Sequence, residues 1–274
     1  MLIQITNTCR MGCPHCMDCA LETPQHMADS TFERALEFAY WSGVNVLSIS
    51  GGEPTEHPKW IEYVMKAADS NLGFVSVALP SNGMWLLDEA KQNAMLMLMS
   101  SYRNLSVQVS SFPGLYRMRE EILAKADDFK QRLKAEGVKH RFNVETDRKV
   151  IDPKMLALGR AAQNDEYSRL AAESVMTTSC FASALVAAQL PFKDAVSKLE
   201  TMGKFCHPLV DWKGEVKWSE SCLCPGFGKV TDDFSQLAIK ASEWRPCGKC
   251  ADYKKLLAKS DMKYAVAKAI MGIR

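Results

Sequence analysis

Apolar residues in the first two thirds of the chain form short runs, separated by stretches where they recur every three or four positions. That is the pattern of strands alternating with helices. Leu2–Thr6 reads as a strand. Ser30-Thr31-Phe32-Glu33 has the form of a capping box, and Phe32, Leu36 and Ala39 then share one helical face. Val44–Ser50, rich in β-branched residues, predicts a second strand that ends at Gly51-Gly52. His57-Pro58-Lys59-Trp60 opens a helix with Pro58 in its first turn and Ile61, Val64 and Met65 on its inner side. Phe74–Leu79 predicts a third strand, stopped by the turn cluster Pro80-Ser81-Asn82-Gly83. Met84–Ser100 follows as a helix whose Met95, Met97 and Met99 read as core. Strand Leu105–Ser110, a charged helix from Tyr116 to Glu136, strand Arg141–Glu145 and a helix from Pro153 continue the series.

These strands read as apolar on both faces, which calls for a parallel sheet with helices outside. Right-handed crossovers curl such a sheet into a full or partial barrel, so the predicted class is α/β. The pattern changes near residue 176. A helical piece runs to Leu199, and Leu209–Trp212 and Glu215–Trp218 flank Lys213-Gly214, a hairpin signal. Two parts result: 1–175, built of strand–helix units, and 176–274, a small cysteine-rich appendage ending in a helix.

Charge narrows the partners. The 274 residues carry 34 Lys+Arg against 32 Asp+Glu, a net +2, so no global field recruits nucleic acid or an anionic membrane. An apolar fraction of 47% with 24% charged residues is that of a globular enzyme. The longest apolar-rich run, Phe181 to Phe192, is broken by Ser183 and Gln189 and is too short to span a bilayer. Met1–Thr6 shows no basic region and no long apolar stretch, so it does not read as a signal peptide. A cytoplasmic protein without membrane contact is expected.

The ten cysteines are the anomaly. In a reducing compartment, closely spaced cysteines point to metal or redox centres rather than disulfides. Cys9, Cys13, Cys16 and Cys19 lie at the front, and Cys180, Cys206, Cys222, Cys224, Cys247 and Cys250 in the last third, with none between. Two thiolate centres are implied. Cys9-Arg10-Met11-Gly12-Cys13-Pro14-His15-Cys16 has the spacing CxxxCxxC directly after the first strand. Three thiolates on one tight loop can hold three irons of a 4Fe–4S cluster and leave the fourth open for chemistry. A zinc knuckle or scattered buried thiols are the plainer alternatives, and Cys19 reads as a bystander. Ser50-Gly51-Gly52-Glu53-Pro54 then ends the second strand. Its glycines allow close backbone approach to a ligand, and its carbonyls and the Glu53 carboxylate suit an ammonium group.

CxxxCxxC after the first strand with GGEP after the second resembles the radical S-adenosylmethionine (radical SAM) superfamily, over roughly residues 1–175. The resemblance implies a partial (β/α)6, TIM-like barrel in which Cys9, Cys13 and Cys16 hold a 4Fe–4S cluster whose open iron chelates S-adenosylmethionine. It places Gly51, Gly52, Glu53 and Pro54 along the cofactor's amino group, with Ser81, Asn82 and Ser110 as further cofactor contacts. His15 stands where relatives carry an aromatic residue near the adenine, and Arg119 is a candidate for the cofactor carboxylate. The implied reaction is reductive cleavage of the cofactor to a 5′-deoxyadenosyl radical, which abstracts hydrogen from a substrate. The strand ends nearest the cysteines are the expected site.

The rear cysteines resemble the auxiliary-cluster appendages called twitch and SPASM domains. That resemblance implies a second 4Fe–4S cluster on Cys206, Cys247, Cys250 and one of Cys222 and Cys224, with Cys180 a possible further ligand. A structural zinc site of four thiolates is the alternative. The expected activity is an oxidoreductase that oxidises or crosslinks a peptide side chain or a small metabolite, using an electron donor such as flavodoxin or ferredoxin. Epimerisation or thioether formation on a peptide is a second reading within the superfamily. A zinc-binding interaction module is a reading from another class. No individual residue is singled out as catalytic.

Overall fold

In the computed structural model, the residues described are 1–16, 24–69, 71–147, 159–166, 169, 191–202, 208–218 and 225–243. Five strands, β1 (Leu2–Thr6), β2 (Val46–Gly51), β3 (Ser76–Ser81), β4 (Leu105–Ser110) and β5 (Phe142–Glu145), pair in parallel in chain order. Helices α1 (Asp29–Trp41), α2 (Trp60–Ala68), α3 (Glu89–Ser101) and α4 (Arg119–Ala135) form the crossovers. This is the α/β, TIM-like arrangement expected from the sequence. On the free side of β1 the sheet continues with β6 (Leu209–Val210), parallel to β1, and then antiparallel β7 (Glu215–Lys217) and β8 (Gly228–Lys229). The eight-stranded order is β5-β4-β3-β2-β1-β6-β7-β8. The hairpin read as part of the appendage therefore closes the β1 edge, leaving β1 between two neighbours with all five residues buried.

Helices α5 (Phe192–Met202) and α6 (Phe234–Glu243) pack on the same side. Phe192 and Phe234 meet Phe38 and Trp41 of α1, and Phe192 also meets Trp218 at 5.6 Å between ring centroids. One aromatic core thus joins both ends of the chain. Among the described residues no helix is long and apolar enough to cross a membrane.

Several local expectations change. The capping box does not form: α1 starts at Asp29 with Ala28 at its cap and no side-chain cap bond. Asp29 instead pairs with Lys59 and sits 2.8 Å from the Tyr63 hydroxyl, so its carboxylate ties α1 to α2. In α2 the buried face is Trp60, Tyr63, Val64 and Ala67, while Met65 is 38% exposed. β3 continues through Pro80 to Ser81. The expected helix 84–100 is split into a 3-10 turn, Met84–Leu87, and α3, because Asp88 accepts from the Lys91 N–H and caps a new start. The hairpin loop is four residues long, 211–214, organised by Asp211. Its Oδ1 accepts from the Lys213 and Glu215 amides and its Oδ2 pairs with Lys217 at 2.8 Å. The helix expected from Pro153 lies mostly outside the described residues; within them, Gly159–Gln163 is a 3-10 turn.

The strands beyond β1 alternate rather than being apolar on both faces. In β3 and β4 one face is Val77, Leu79, Leu105, Val107 and Val109, fully packed under the helices. The other face carries Ser76, Ala78, Pro80, Ser106 and Ser110, half-buried, with Gln108 exposed. A sheet curled around an interior not filled by its own side chains shows this period of two.

His57 locks α2 to the segment before α1. Its Nδ1 accepts from the Lys59 amide and its Nε2 lies 3.1 Å from the Met27 carbonyl, which fixes the neutral Nε2–H tautomer. Burial lowers its pKa, the nearby His26 adds to this, and Asp29 opposes it. The unfolded chain therefore binds the proton that the native protein excludes, so stability rises with pH across this titration. Denaturant unfolding should show stability falling as pH drops below about 6.5, and His57→Gln should flatten part of that slope.

Candidate functional site

The sequence-predicted front residues that are described sit at or just beyond the C-terminal ends of β1 to β4. The chain leaves β1 at Thr6, whose Oγ1 accepts from the Thr8 amide, and Cys9 follows, buried. Gly12 bends the loop with φ +64, and the Cys16 amide closes a turn on the Cys13 carbonyl at 3.2 Å. Cys13 and Cys16 are half-buried, and the three thiols are free. Arg10 fastens the loop from outside, its backbone and side chain both bonding Glu56.

The glycine-rich motif packs directly against this segment. A Cβ at Gly51 would lie 2.4 Å from the Thr6 carbonyl oxygen, so only glycine permits this approach of β2 to β1. The Gly52 amide donates to Thr6 O and the Glu53 amide to Thr8 O. Pro54 is buried at the start of the 3-10 turn Pro54–Glu56. Glu53, expected to face the cofactor's ammonium, is fully buried. One of its carboxylate oxygens accepts from the Thr55 amide and hydroxyl, the other from the Asn82 amide at 2.8 Å, and the Ser81 hydroxyl reaches both. Burial pushes its pKa up and these donors pull it down. Glu53 thus clamps the end of β2 to the end of β3.

Asn82 carries the clamp onward. Its Oδ1 accepts from the Met84 amide, which orients the side chain so that Nδ2 donates to Cys9 Sγ at 3.5 Å. The turn behind it demands glycine: Gly83 has φ +82, and a Cβ there would lie 2.6 Å from Val109 Cγ1.

Three further residues, unremarked in the sequence, complete the site. Tyr116 is partly buried, bonded to Ser110 and 5.2 Å from the His15 ring. Burial first, then the Cys13 thiolate, pushes its hydroxyl pKa up. Arg117 reaches Gly12, its guanidinium 3.4 Å from where a Cβ would stand. Arg160, in the 3-10 turn after β5, donates its amide to Cys16 O at 3.0 Å and interacts electrostatically with Cys13. Arg119 turns away from the site: its Nε donates to Ser111 O and it pairs with Glu120. Tyr116 announces itself only as an aromatic just after a strand end, and Arg160 gives no signal.

The donor set fits an iron–sulfur cluster. The thiols lie on one loop, and Cys9 already receives a side-chain amide, a type of contact that tunes cluster sulfurs. Burial pushes Cys9 up to about 11 and Cys13 up to about 12, so each would need a metal to stand as thiolate. Among the described residues no three His, Cys, Asp or Glu side chains converge closely enough to hold a single metal ion. Cys19, Cys180, Cys206, Cys222, Cys224, Cys247 and Cys250 lie outside the described residues.

No protein-family model matches the chain, and no curated protein matches it. Among solved structures, anSMEcpe with bound AdoMet and Cp18Cys peptide aligns with a TM-score of 0.50 at 15% identity, over 98% of this chain and 94% of that one. SuiB of Streptococcus suis bound to S-adenosylmethionine aligns with a TM-score of 0.51 at 12% identity. That match covers 86% of this chain and 64% of SuiB, so the chain spans less than two thirds of SuiB. SuiB bound to precursor peptide SuiA aligns with a TM-score of 0.50. The chain shares the fold of these solved structures, a TIM-barrel-like α/β architecture.

The clamp can be tested directly. A glutamine at position 53 must set its NH2 group against a fixed backbone donor, Thr55 N–H or Asn82 N–H. Glu53→Gln should cost about 1–3 kcal/mol in urea unfolding of the purified protein, whereas Glu56→Gln, at the loop's outer fastening, should cost less.

Proposed function

We propose that this protein is a radical SAM enzyme acting on a peptide side chain. The observation that carries the proposal is three free thiols of a CxxxCxxC loop seated at the C-terminal edge of a parallel sheet, tied through Asn82 and Glu53 to the Gly51-Gly52 strand end. Cys9, Cys13 and Cys16 would hold a 4Fe–4S cluster. Such a cluster would supply one-electron reduction for cleavage of S-adenosylmethionine and so for hydrogen abstraction from the substrate.

The chain's own residues have distinct tasks. Backbone carbonyls of Gly51 and Gly52 accept from the cofactor's ammonium while Pro54 sets the loop's exit. Glu53 serves by keeping that loop and the Ser81-Asn82 turn in register. His15 and Tyr116 supply ring surface for the adenine, and Ser110, bonded to Tyr116, stands at the edge of the same space. The half-open inner face, with Ser48, Ala78, Ser106 and Gln108, gives the substrate room and hydrogen-bond partners. Peptide is favoured over a small metabolite because peptides accompany both anSMEcpe and SuiB in their solved structures. Oxidation or crosslinking of the side chain is the favoured outcome.

We assign the rear cysteines Cys206, Cys247, Cys250 and one of Cys222 and Cys224 to an auxiliary 4Fe–4S cluster, with residues 176–274 as its twitch-like domain and 1–175 as the radical SAM core. A flavodoxin or ferredoxin is the expected electron source, and the cytoplasm the expected compartment.

Anaerobic reconstitution should load about eight irons per chain, and dithionite with S-adenosylmethionine should yield 5′-deoxyadenosine. Alanine at Cys9, Cys13 or Cys16 should abolish that product, while Cys247→Ala with Cys250→Ala should remove roughly half the iron and leave the front cluster's spectrum. Zinc without iron, or a cofactor left intact, would refute the proposal.

A further inference from the structure

Arg160 is a cation that acts electrostatically on Cys13. Arg160 belongs to the 3-10 turn Gly159–Gln163, which touches the cysteine loop by its backbone: the amides of Arg160 and Ala161 both point at Cys16 O, at 3.0 and 3.4 Å. These two main-chain contacts hold the turn that carries Arg160 against the loop. The Arg160 Nε is buried and has no hydrogen-bond partner among the described residues. A buried guanidinium N–H on a turn bonded to the cysteine loop, left open by the surrounding protein, is matched to an acceptor that arrives with the ligand. The charge balance points the same way. Glu53 and Glu56 bring negative charge to Cys9, and three thiolates on a cluster add more, which Arg160 at Cys13 offsets together with Arg117 at Gly12.

We propose that Arg160 is a positioning residue for the front cluster, which holds the Cys13–Cys16 turn by its backbone and makes the cluster easier to reduce by its charge. This rests on the cluster assignment made above for Cys9, Cys13 and Cys16. Reduction adds one negative charge to the cluster, and a nearby positive charge in a partly buried setting stabilises the reduced form more than the oxidised one. Net charge and hydrogen bonding at the sulfurs are the levers that set such potentials. Arg160 thus adjusts how readily the donor's electron is accepted, without touching substrate.

The test is an anaerobic redox titration of the reconstituted protein followed by electron paramagnetic resonance, without S-adenosylmethionine. At the parent's midpoint, Arg160→Gln should lower the ratio of reduced to oxidised cluster about tenfold, a shift of about 59 mV to more negative potential for one electron. Arg160→Lys should stay close to the parent. Arg132→Gln, which removes a guanidinium bonded to Gln92 and Asn93 on the outer helices, should not move the midpoint. Should Arg160→Gln bind no iron, the comparison moves to Arg160→Lys and Arg160→Met: iron retained only with lysine supports the charge role, and equal iron in both overturns it. A parent that holds no cluster overturns the cluster assignment and this inference together. A parent with a cluster whose midpoint is unmoved in Arg160→Gln overturns this inference alone.

Discussion

The site depends on one buried carboxylate. Glu53 contributes no surface, yet its two oxygens collect donors from two strand ends that a parallel sheet would otherwise leave splayed. Hydrogen bonds to a charged acceptor are the strong ones, and inside a protein each is worth more than in water. Because two donors are backbone amides, the clamp fixes main chain rather than rotamers. Asn82 inherits its place from that clamp and hands it to Cys9. The placement of the sulfur loop is therefore set from β2 and β3, not only from the strand that carries it.

A second constraint is the free edge of β1. A half-closed sheet exposes edge strands, and an exposed β1 would leave the cysteine loop on a mobile border. The chain covers that edge with its own later residues: Leu209 and Val210 pair beside Leu2 and Ile3, and the Leu2 amide bonds Pro208 O. The hairpin is in turn held by the nearly buried Lys217–Asp211 pair and by Trp218 packed on Phe192 and Phe227. The appendage thus takes part in building the core, a role that its cysteines alone do not suggest.

Much of this was legible. β1 and β4 lie where apolar runs placed them, and the two motifs fall at adjacent strand ends because spacing within a parallel unit dictates it. What was hidden has physical causes. Asp29 wins the start of α1 because Lys59 and Tyr63, distant in sequence, stabilise it there. Glu53 looked like a ligand because its partners Ser81 and Asn82 lie in another unit. Tyr116 stands before α4 rather than within it because Met118 takes a left-handed backbone, φ 53, and α4 begins only at Arg119. Arg160 is found only in three dimensions, since one arginine after a strand carries no pattern. The edge position of the hairpin was equally unreadable, because a parallel partner of two residues leaves no periodicity to detect.

The alternation in β3 and β4 was there to be read, and it bears on what the interior is for. Closed barrels of parallel strands fill their centre with layers of branched side chains. Here the inward positions of register-matched neighbours are Ser48, Ala78 and Ser106, then Pro80, Gln108 and Asn143. Such residues cannot fill the space inside five curled strands, while the outer face, with Trp85 against Phe129 and Phe32 stacked on Tyr63, carries the hydrophobic stabilisation. Stability has been moved to one side of the sheet, and the other side is left small and polar, open toward the strand ends where the sulfur loop sits. A chain that needed only to fold would gain by placing valine or leucine at those inward positions, at roughly 1.5–3 kcal/mol for each side chain buried. Their scarcity there leaves that face small and polar at a cost in burial that the outer face makes up.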